Sequence, residues 1–470
     1  MNKVRIPLTL VLTLSIFFLS GCNMLSKTSL DPKEPITLTM WHVYGSQTES
    51  PMNDMIAEFN KTVGKEKGVI INITSVSNSS DIEEALWNAA DEVPGAASLP
   101  DIFTTYPNAV LQMNPTVELL DFNEYFSKEE LSSYVPAFLE EGMIEDKLLV
   151  FPLAKSTELM FVDQTLLDRF FEDSEYTMAD LQTYDSLWKV CESYYTWSDA
   201  QTPDVPNDGT TLFMHNDILH YFTMGLAAQG LEAFDGEQLN TSSEEFKSLW
   251  MPYAKAAIYG GVSLLPGYAS DPMRTGEVIA SVSSSAGILY HSDTVTYEDN
   301  TSEKIELNVY PAPLYGTESQ NLLYQRGVGL CAVHSDDERK NEAAVLFAQW
   351  ITESENNLNF TTSAGYLPVT NNAYDNLVKT GVEKIDNAQY QKLYSAVNSV
   401  HGSYGFFTPP QFTGYSLLEK DFNNTIRELL STARQEYLVA SGGTYDETLL
   451  EQFAESTYKS FCQHFQSNNN

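Results

Sequence analysis

The residues of this chain best suited to chemistry are flat rings and hydroxyls, gathered at a few points. Trp41, His42 and Tyr44 stand together, with Gly45 and Ser46 directly after them. Ser80 and Asp81 follow a second apolar run, Tyr106 closes a third, and Ser283, Ser284 and Ser285 close a later one. The stretch "HGSYGFFTPPQF" (401–412) sets Tyr404, Phe406 and Phe407 among glycines and prolines, with no helical or strand period. Rings can stack on the apolar face of a ligand, while hydroxyls exchange hydrogen bonds with its polar edge. Each such bond adds a net ~0.5–1.5 kcal/mol, and a mismatched buried group costs more, so a site built this way selects among ligands.

Catalytic signatures are missing. The chain has no G-x-S-x-G, no H-E-x-x-H, no P-loop and no EF-hand spacing. His215 and His220 are five apart, one too many for a shared helical face. The 64 acidic residues could supply the carboxylate pair of a glycan hydrolase, but nothing singles out two of them. No catalytic residue, metal ligand or cofactor is expected.

The N-terminus carries a different chemistry. Lys3 and Arg5 precede an apolar run, Ile6 to Leu19. The run is shorter than the roughly 20 residues a membrane span needs and has the flanks of an export signal, residues 1–21. Leu19-Ser20-Gly21-Cys22 resembles a bacterial lipobox, in which small residues admit the signal peptidase and the Cys22 thiol accepts lipid. Lipid chains supply ~0.8 kcal/mol of membrane affinity per buried CH₂, which predicts anchoring at the outer face of the cell membrane. Residues 22–34 then read as a flexible tether.

The formal charge is −38, and loss of the two basic signal residues makes it −40. Nucleic acid is excluded as a partner, because its phosphates need a basic face. A dispersed acidic surface is well solvated and self-repelling, and a monomer is expected. Cys191, Cys331 and Cys462 form neither a disulfide framework nor a zinc spacing, and read as buried inert thiols.

Positioning the rings and hydroxyls falls to alternating strands and helices. "ITLTMW" (36–41) alternates as a strand; Ser50 and Pro51 then open a helix with Met52, Met55, Ile56 and Phe59 at helical spacing. "GVIINITSV" (68–76) predicts a second strand, "SDIEEALWNAA" (80–90) a helix capped by Ser80, and "PDIFTTY" (100–106) a third strand. A strand broken at Pro152 follows (147–154), then a helix over 176–195 with Thr177 and Asp180 as a capping box. Strands at 275–287 and 327–333 and a helix at 336–351 complete the pattern. Such alternation marks an α/β protein. Ligands of α/β sheets bind beyond the carboxyl ends of strands, which places Trp41, Tyr44, Ser46 and Tyr106 at a candidate site. Trp41 reads equally as core, His42 better as an interior histidine, and Ser80 better as a cap.

Several stretches, in order, resemble family 1 extracellular solute-binding proteins of ABC importers. "ITLTMWHVYGSQTESPMNDMIAEFNK" resembles the family's opening and "PDIFTTY" its third strand. "FPLAKSTELMFVDQTLLDR" resembles a crossing between lobes, "TGEVIASVSSSAG" the return crossing, and "FAQWITESENNLNFTTSAGYLPVT" the late helix and turn. The resemblance implies a two-lobed periplasmic-binding-protein-like α/β fold with crossings near 149–153, 283–287 and 350–356. One lobe would hold 35–150 and 287–350, the other 153–283 and 356–465. It also implies a carbohydrate ligand held by hinge closure and handed to an ABC permease and its ATPase.

On that frame Ser156, Thr157 and Glu158 follow the first crossing, with alternate side chains toward the cleft and Lys155 at the surface. Ser284 and Ser285 sit at the return crossing, as ligand contacts or as a plain hinge turn. Arg326 would hold an anion or join the lobes, Gly327 would let backbone approach closely, and Tyr366 maps onto a ring the family turns toward ligand. Tyr404, Phe406 and Phe407 would stack on the ligand or form a small local core. "SSSAG" and "AGYLPVT" look closest to the glycerol-3-phosphate-binding branch. That branch places an aromatic near 80 and an acid near 107, where this chain has Ser80 and Pro107. A sugar or oligosaccharide therefore fits better, with a phosphate ester or a lipid-anchored glycan hydrolase as the alternatives.

Overall fold

The computed structural model describes residues 29–45, 50–316, 320–377 and 381–467. In chain order the main strands are β1 (Ile36–His42), β2 (Val69–Val76), β3 (Ile102–Thr105), β4 (Phe151–Pro152), β5 (Glu158–Asp163) and β6 (Thr211–His215). They continue as β7 (Val278–Ser284), β8 (Leu307–Pro311), β9 (Leu322–Tyr324), β10 (Gly329–Ala332) and β11 (Gly405–Phe407). The helices that cover them are α1 (Pro51–Lys61), α2 (Ser79–Ala90), α3 (Pro107–Leu111), α4 (Pro136–Glu141), α5 (Tyr184–Asp199), α6 (Ile218–Ala228) and α7 (Glu244–Tyr259). After them come α8 (Glu338–Thr352), α9 (Ser354–Ala364), α10 (Ala388–Val400), α11 (Tyr415–Ser441) and α12 (Glu447–Ser467).

Among the described residues, one sheet has the order β2-β1-β3-β10-β4 and a second the order β8-β5-β7-β6. In the first, β1 runs parallel to β2 and β3, and β10 antiparallel to β3 and β4. In the second, β7 runs parallel to β6 and antiparallel to β5. Strand β5, "ELMFVD", is buried along its whole length. Successive side chains go to opposite faces, so Leu159 and Phe161 join one apolar cluster while Met160 and Val162 join another. The second cluster includes Trp188 of α5, Phe222 of α6, Trp250 of α7, Phe422 of α11 and Phe461 of α12. The first joins the inner sheet residues Leu38, Met40 and Ile102 to Phe347 of α8 and to Leu393 and Val397 of α10. The molecule is thus a two-lobed α/β fold with helices on the faces of both sheets.

Local chemistry explains where elements begin. Ser50 Oγ accepts from the Asn53 amide and Pro51 fills the first position of α1, as the sequence predicts. Helix α2 starts earlier than predicted: Asn78 Oδ1 accepts from the Asp81 amide at 3.0 Å, so Asn78 and not Ser80 is the cap. The Thr177–Asp180 capping box is present but closes a single 3₁₀ turn, Met178–Leu181; Thr183 caps α5 itself. Segment 401–412 is not all loop, since β11 pairs in parallel with β9, Phe406 opposite Leu323. Cys191, Cys331 and Cys462 are free thiols, and burial pushes the first two well up, in keeping with inert packing.

The crossings differ from expectation: near 350–356 the chain only passes from α8 to α9, and Phe360 of α9 stays in the same apolar cluster as Phe347 of α8. The first runs through 153–157, between β4 and β5. The return does not occur at 283–287: after Ser284 the chain makes a 3₁₀ turn (Ser285–Tyr290) and then adds β8 beside β5 in the second sheet. The chain re-enters the first sheet only at 325–328, between β9 and β10. The two crossings lie side by side, with reciprocal backbone bonds of 2.8 Å between Ser156 and Arg326. Lys155, expected at the surface, is buried there; its Nζ donates to Glu141 at 2.7 Å and to the Gly327 carbonyl at 2.9 Å.

Gly327 takes φ +115, and a Cβ there would meet the Ala154 carbonyl at 2.9 Å. Gly327→Ala is expected to destabilise the protein by about 1–3 kcal/mol, read as a lower urea midpoint with an unchanged slope.

Candidate ligand-binding cleft

A cavity opens between the lobes where the parallel strands end. Tyr106, Pro107 and Asn108 follow β3, and Glu141 ends α4. From the other lobe come His220 of α6 and Tyr415, Ser416 and Glu419 of α11. Tyr324, Gln325 and Arg326 enter from the return crossing, Pro409 and Gln411 from the segment after β11. This is the carboxyl-end location α/β sheets reserve for ligands. The segment before α11 reaches the first lobe: Asn108 Oδ1 accepts from the Phe412 amide at 3.0 Å, and Gln411 donates to the Glu141 carbonyl at 2.6 Å. The space is about 70 Å³, below the ~300–1,000 Å³ of small-molecule pockets.

A charge network forms the floor. His220 Nδ1 lies 2.6 Å from Glu158 Oε1, and its Nε2 lies 3.1 Å from Glu419 and 3.4 Å from Asp217. Arg326 Nη1 lies 3.6 Å from the same Glu158 oxygen. Tyr324 stacks on the imidazole with centroids 3.9 Å apart. Burial alone would keep His220 neutral, but the Asp217 and Glu158 carboxylates outweigh it and raise the imidazole to about 9. Burial, then Asp217, raises Glu419 to about 7, while the His220 charge outweighs burial at Asp217 and holds it low. Glu83 of α2 is raised to about 7 by burial and then by the Glu419 charge. Asp217, His220 and Glu419 bring ligand atoms within 4.8 Å of one another, a set that could contact a metal. With both ring nitrogens facing carboxylates and a guanidinium alongside, the trio is an ion-pair cluster instead.

The predicted site residues separate into groups. Tyr106 and Arg326 line the cleft, and Glu158 meets it through His220. Trp41 is core, packed with Ile82, Leu86 and Phe103 under α2. Tyr44 is also core: its hydroxyl donates to the Val328 carbonyl and its ring meets Phe360 and Tyr366 edge-on. His42 is an interior histidine bonded to Asn53 and lowered by burial to about 4. Ser156 and Thr157 are buried in the crossing, where Ser285 Oγ accepts from the Thr157 amide and Ser284 caps the 3₁₀ turn. Gly327 lies in the return crossing, packed against the Ala154 carbonyl, and outside the cleft lining. Tyr366 packs on Phe360, Phe406 on Phe138 and Phe407 against Tyr324, so these rings support the cleft from behind. Tyr404 is half-buried beside them and outside the cleft lining. Cys22 and Ser46 lie outside the described residues, as does the side chain of Ser80.

Asn108, Glu141, Asp217, His220, Gln325, Gln411, Tyr415 and Glu419 are absent from the sequence expectations. One signal was available: Tyr415, Glu419 and Asn423 recur at i, i+4 just after Gly414. A polar stripe at that spacing is also what a solvated helix face looks like.

The His220 charge gives a pH signature. Its folded value near 9 exceeds the free value of 6.5, so its stabilisation is complete below about pH 6.5 and is lost as pH rises through about 9. His220→Gln should cost about 3–5 kcal/mol at neutral pH, because it strands buried carboxylates. The gap in thermal midpoint between wild type and variant should narrow as pH rises toward about 10.

Comparisons with known proteins agree with this architecture. A search of curated sequences finds no match. Among solved structures, the cyclic alpha-maltosyl-1,6-maltose binding protein of Arthrobacter globiformis superposes with a TM-score of 0.62 at 16% identity, over 91% of this chain and 99% of that one. An ABC substrate-binding protein from Listeria monocytogenes in complex with cycloalternan gives 0.62 at 13% identity, over 91% and 99%. UgpB from Mycobacterium tuberculosis in complex with glycerophosphocholine gives 0.62 at 16%, over 92% and 99%. At these identities the likeness establishes the fold alone. The sequence from residue 54 to residue 420 matches the bacterial extracellular solute-binding proteins, and the chain belongs to that family.

Proposed function

We propose that the protein captures a sugar or short oligosaccharide between its lobes and delivers it to an ABC importer while lipid on Cys22 holds it at the outer face of the cell membrane. The observation that carries this reading is the composition of the cleft. Tyr106, Pro107 and Pro409 offer apolar flats, and Asn108, Gln325, Gln411 and Ser416 offer donors and acceptors around them. That pairing suits a ring whose C–H face is apolar and whose rim is hydroxylated. The cyclic oligosaccharides held by the Arthrobacter and Listeria proteins support it. A phosphate ester, like the ligand of the mycobacterial protein, fits less well. The cations of the cleft, His220 and Arg326, are already engaged by Glu158, Asp217 and Glu419. The protein acts as a monomer and as a carrier: His220 has both nitrogens taken and is no general base.

Isothermal titration with a panel of sugars, linear and cyclic glucans and glycerol-3-phosphate tests the reading. At least one sugar should bind at about micromolar strength or better, and Tyr106→Ala should weaken it at least about tenfold. Tight binding of the phosphate ester with no sugar bound, or turnover of a bound glycan, would overturn it. Cys22→Ser should move the protein from the membrane fraction to the medium, because the remaining acidic chain has no other lipid affinity.

A further inference from the structure

The chain joins the first lobe well before β1. Ser29 donates through its amide and its hydroxyl to the Glu342 carboxylate of α8, at 2.8 and 2.9 Å. Leu30 packs against the first apolar cluster. Asp31 then turns the chain: its carbonyl accepts from the Glu34 amide at 3.0 Å and its carboxylate from the Lys33 amide at 2.9 Å. Gly68, at φ +76 just before β2, lies so close that a Cβ there would clash with the Asp31 carbonyl. The Ile36 amide donates to the Gly68 carbonyl at 2.8 Å as β1 begins. Residues 29–34 are therefore a strap fastened at the amino ends of β1 and β2.

Ser29 stands seven residues after Cys22. Seven residues span at most about 25 Å at ~3.3–3.6 Å each, so lipid on Cys22 keeps the amino end of the first sheet within that distance of the headgroups. The cleft lies at the other end, where Tyr106 follows β3. The seven residues of β1 separate the two ends by roughly 23 Å. An independent feature marks the same amino end. The stretch "KTVGKEK" (61–67), leading into β2, sets three lysines against one glutamate in a chain of formal charge −38. Lys61 and Lys65 are exposed, and Lys67 pairs with its neighbour Glu66 at 3.3 Å. Lys33 is exposed on the strap itself. One residue into β2, the edge strand of the sheet, Ile70 is 45% exposed. Lysines around an exposed apolar side chain suit an anionic bilayer surface, the charges meeting phosphates and the isoleucine the headgroup boundary.

We propose that the first lobe rests on the headgroups of an anionic bilayer through the strap and the 61–70 face, with the cleft held about one strand length above them. The proposal rests on the reading of Cys22 as the lipid anchor and adds an orientation to it. The lipid supplies affinity, and the short reach to Ser29 gives the lysines a high effective concentration at the surface. The acidic remainder of the chain is repelled by the same phosphates, which turns this face toward them and the cleft toward the medium. The contact acts over a Debye length of about 8–10 Å and therefore weakens with salt.

The test is lysine-acetylation footprinting, read by mass spectrometry. It compares the lipidated mature chain, in phosphatidylcholine vesicles with about 30% phosphatidylglycerol at low salt, with the Cys22→Ser chain in solution. Lys61 and Lys65 should react at least about threefold more slowly on the vesicles. Lys304 and Lys459, both exposed on the second lobe, should react alike in the two samples. The protection should fall away at about 0.5 M salt and on phosphatidylcholine alone. Lys33→Glu combined with Lys67→Glu, which leaves both reporter lysines in place, should reduce it in the same way. Equal rates at Lys61 and Lys65 on and off the vesicles, or equal protection of all four lysines, would overturn the proposal and leave the anchor standing. Protection kept on phosphatidylcholine alone, or untouched by the double variant, would overturn the headgroup contact. A mature chain with no lipid on Cys22 would overturn the anchor reading and the proposal with it.

Discussion

The two lobes meet over charges largely withdrawn from water, and the rest of the structure is arranged around satisfying them. Lys155 and Glu141 form one buried pair; Glu158, His220 and Arg326 form another group a few residues along the same two crossings. Buried ion pairs gain little over apolar packing, but breaking one is expensive because it leaves a stranded charge. Their effect is therefore on arrangement. Glu141 belongs to a first-lobe helix, His220 to a second-lobe helix, Lys155 and Arg326 to the crossings between, and Glu158 to the start of β5 just after the first crossing. Each charge finds its partner only if all three parts of the chain are in register.

That arrangement explains which residues became hinge and which became cleft. Ser156 exchanges backbone bonds with Arg326, and the Lys155 amide bonds to the Leu367 carbonyl, so the crossings form a small ribbon. A ribbon buries the side chains between its members, which is why Ser156, Thr157 and Ser285 point into protein. Arg326 is the exception, since its length carries the guanidinium out of the ribbon toward the cleft, where it is still about a quarter exposed at 26%. The polar groups a ligand would meet are instead carried on the lobes.

The sheets were largely legible because alternation is a strong signal: β1, β2 and β3 lie within two residues of their predicted bounds. The return crossing was not, because "LNVYP" carries nothing to distinguish a further strand of the second sheet from a first strand of the other lobe. Tyr106 and Arg326 were legible as residues that line the cleft because strand ends and crossings are positions, and positions can be read from order along the chain. Trp41 and Tyr44 obeyed the same rule and failed it, because α2 and the loop before β10 cover the end of β1. His220 and Glu419 were invisible for a different reason. Each lies on a helix whose polar spacing also suits solvent, and they meet only when α6 and α11 pack side by side.

The split between a hinge ribbon and lobe-borne contacts has a consequence for selectivity. A ligand can shift the open–closed balance only by its difference in affinity for the two states. Contacts at the ribbon are present in both states and contribute little to that difference. Contacts that need both lobes, with Tyr106 and Asn108 on one side and Tyr415 and Glu419 on the other, exist together only on closure. A ligand held there would draw discrimination and closure from the same side chains. A relative with this fold and different residues at those lobe positions can keep the hinge and change the ligand, which is consistent with one architecture serving cyclic glucans in some proteins and glycerophosphocholine in another.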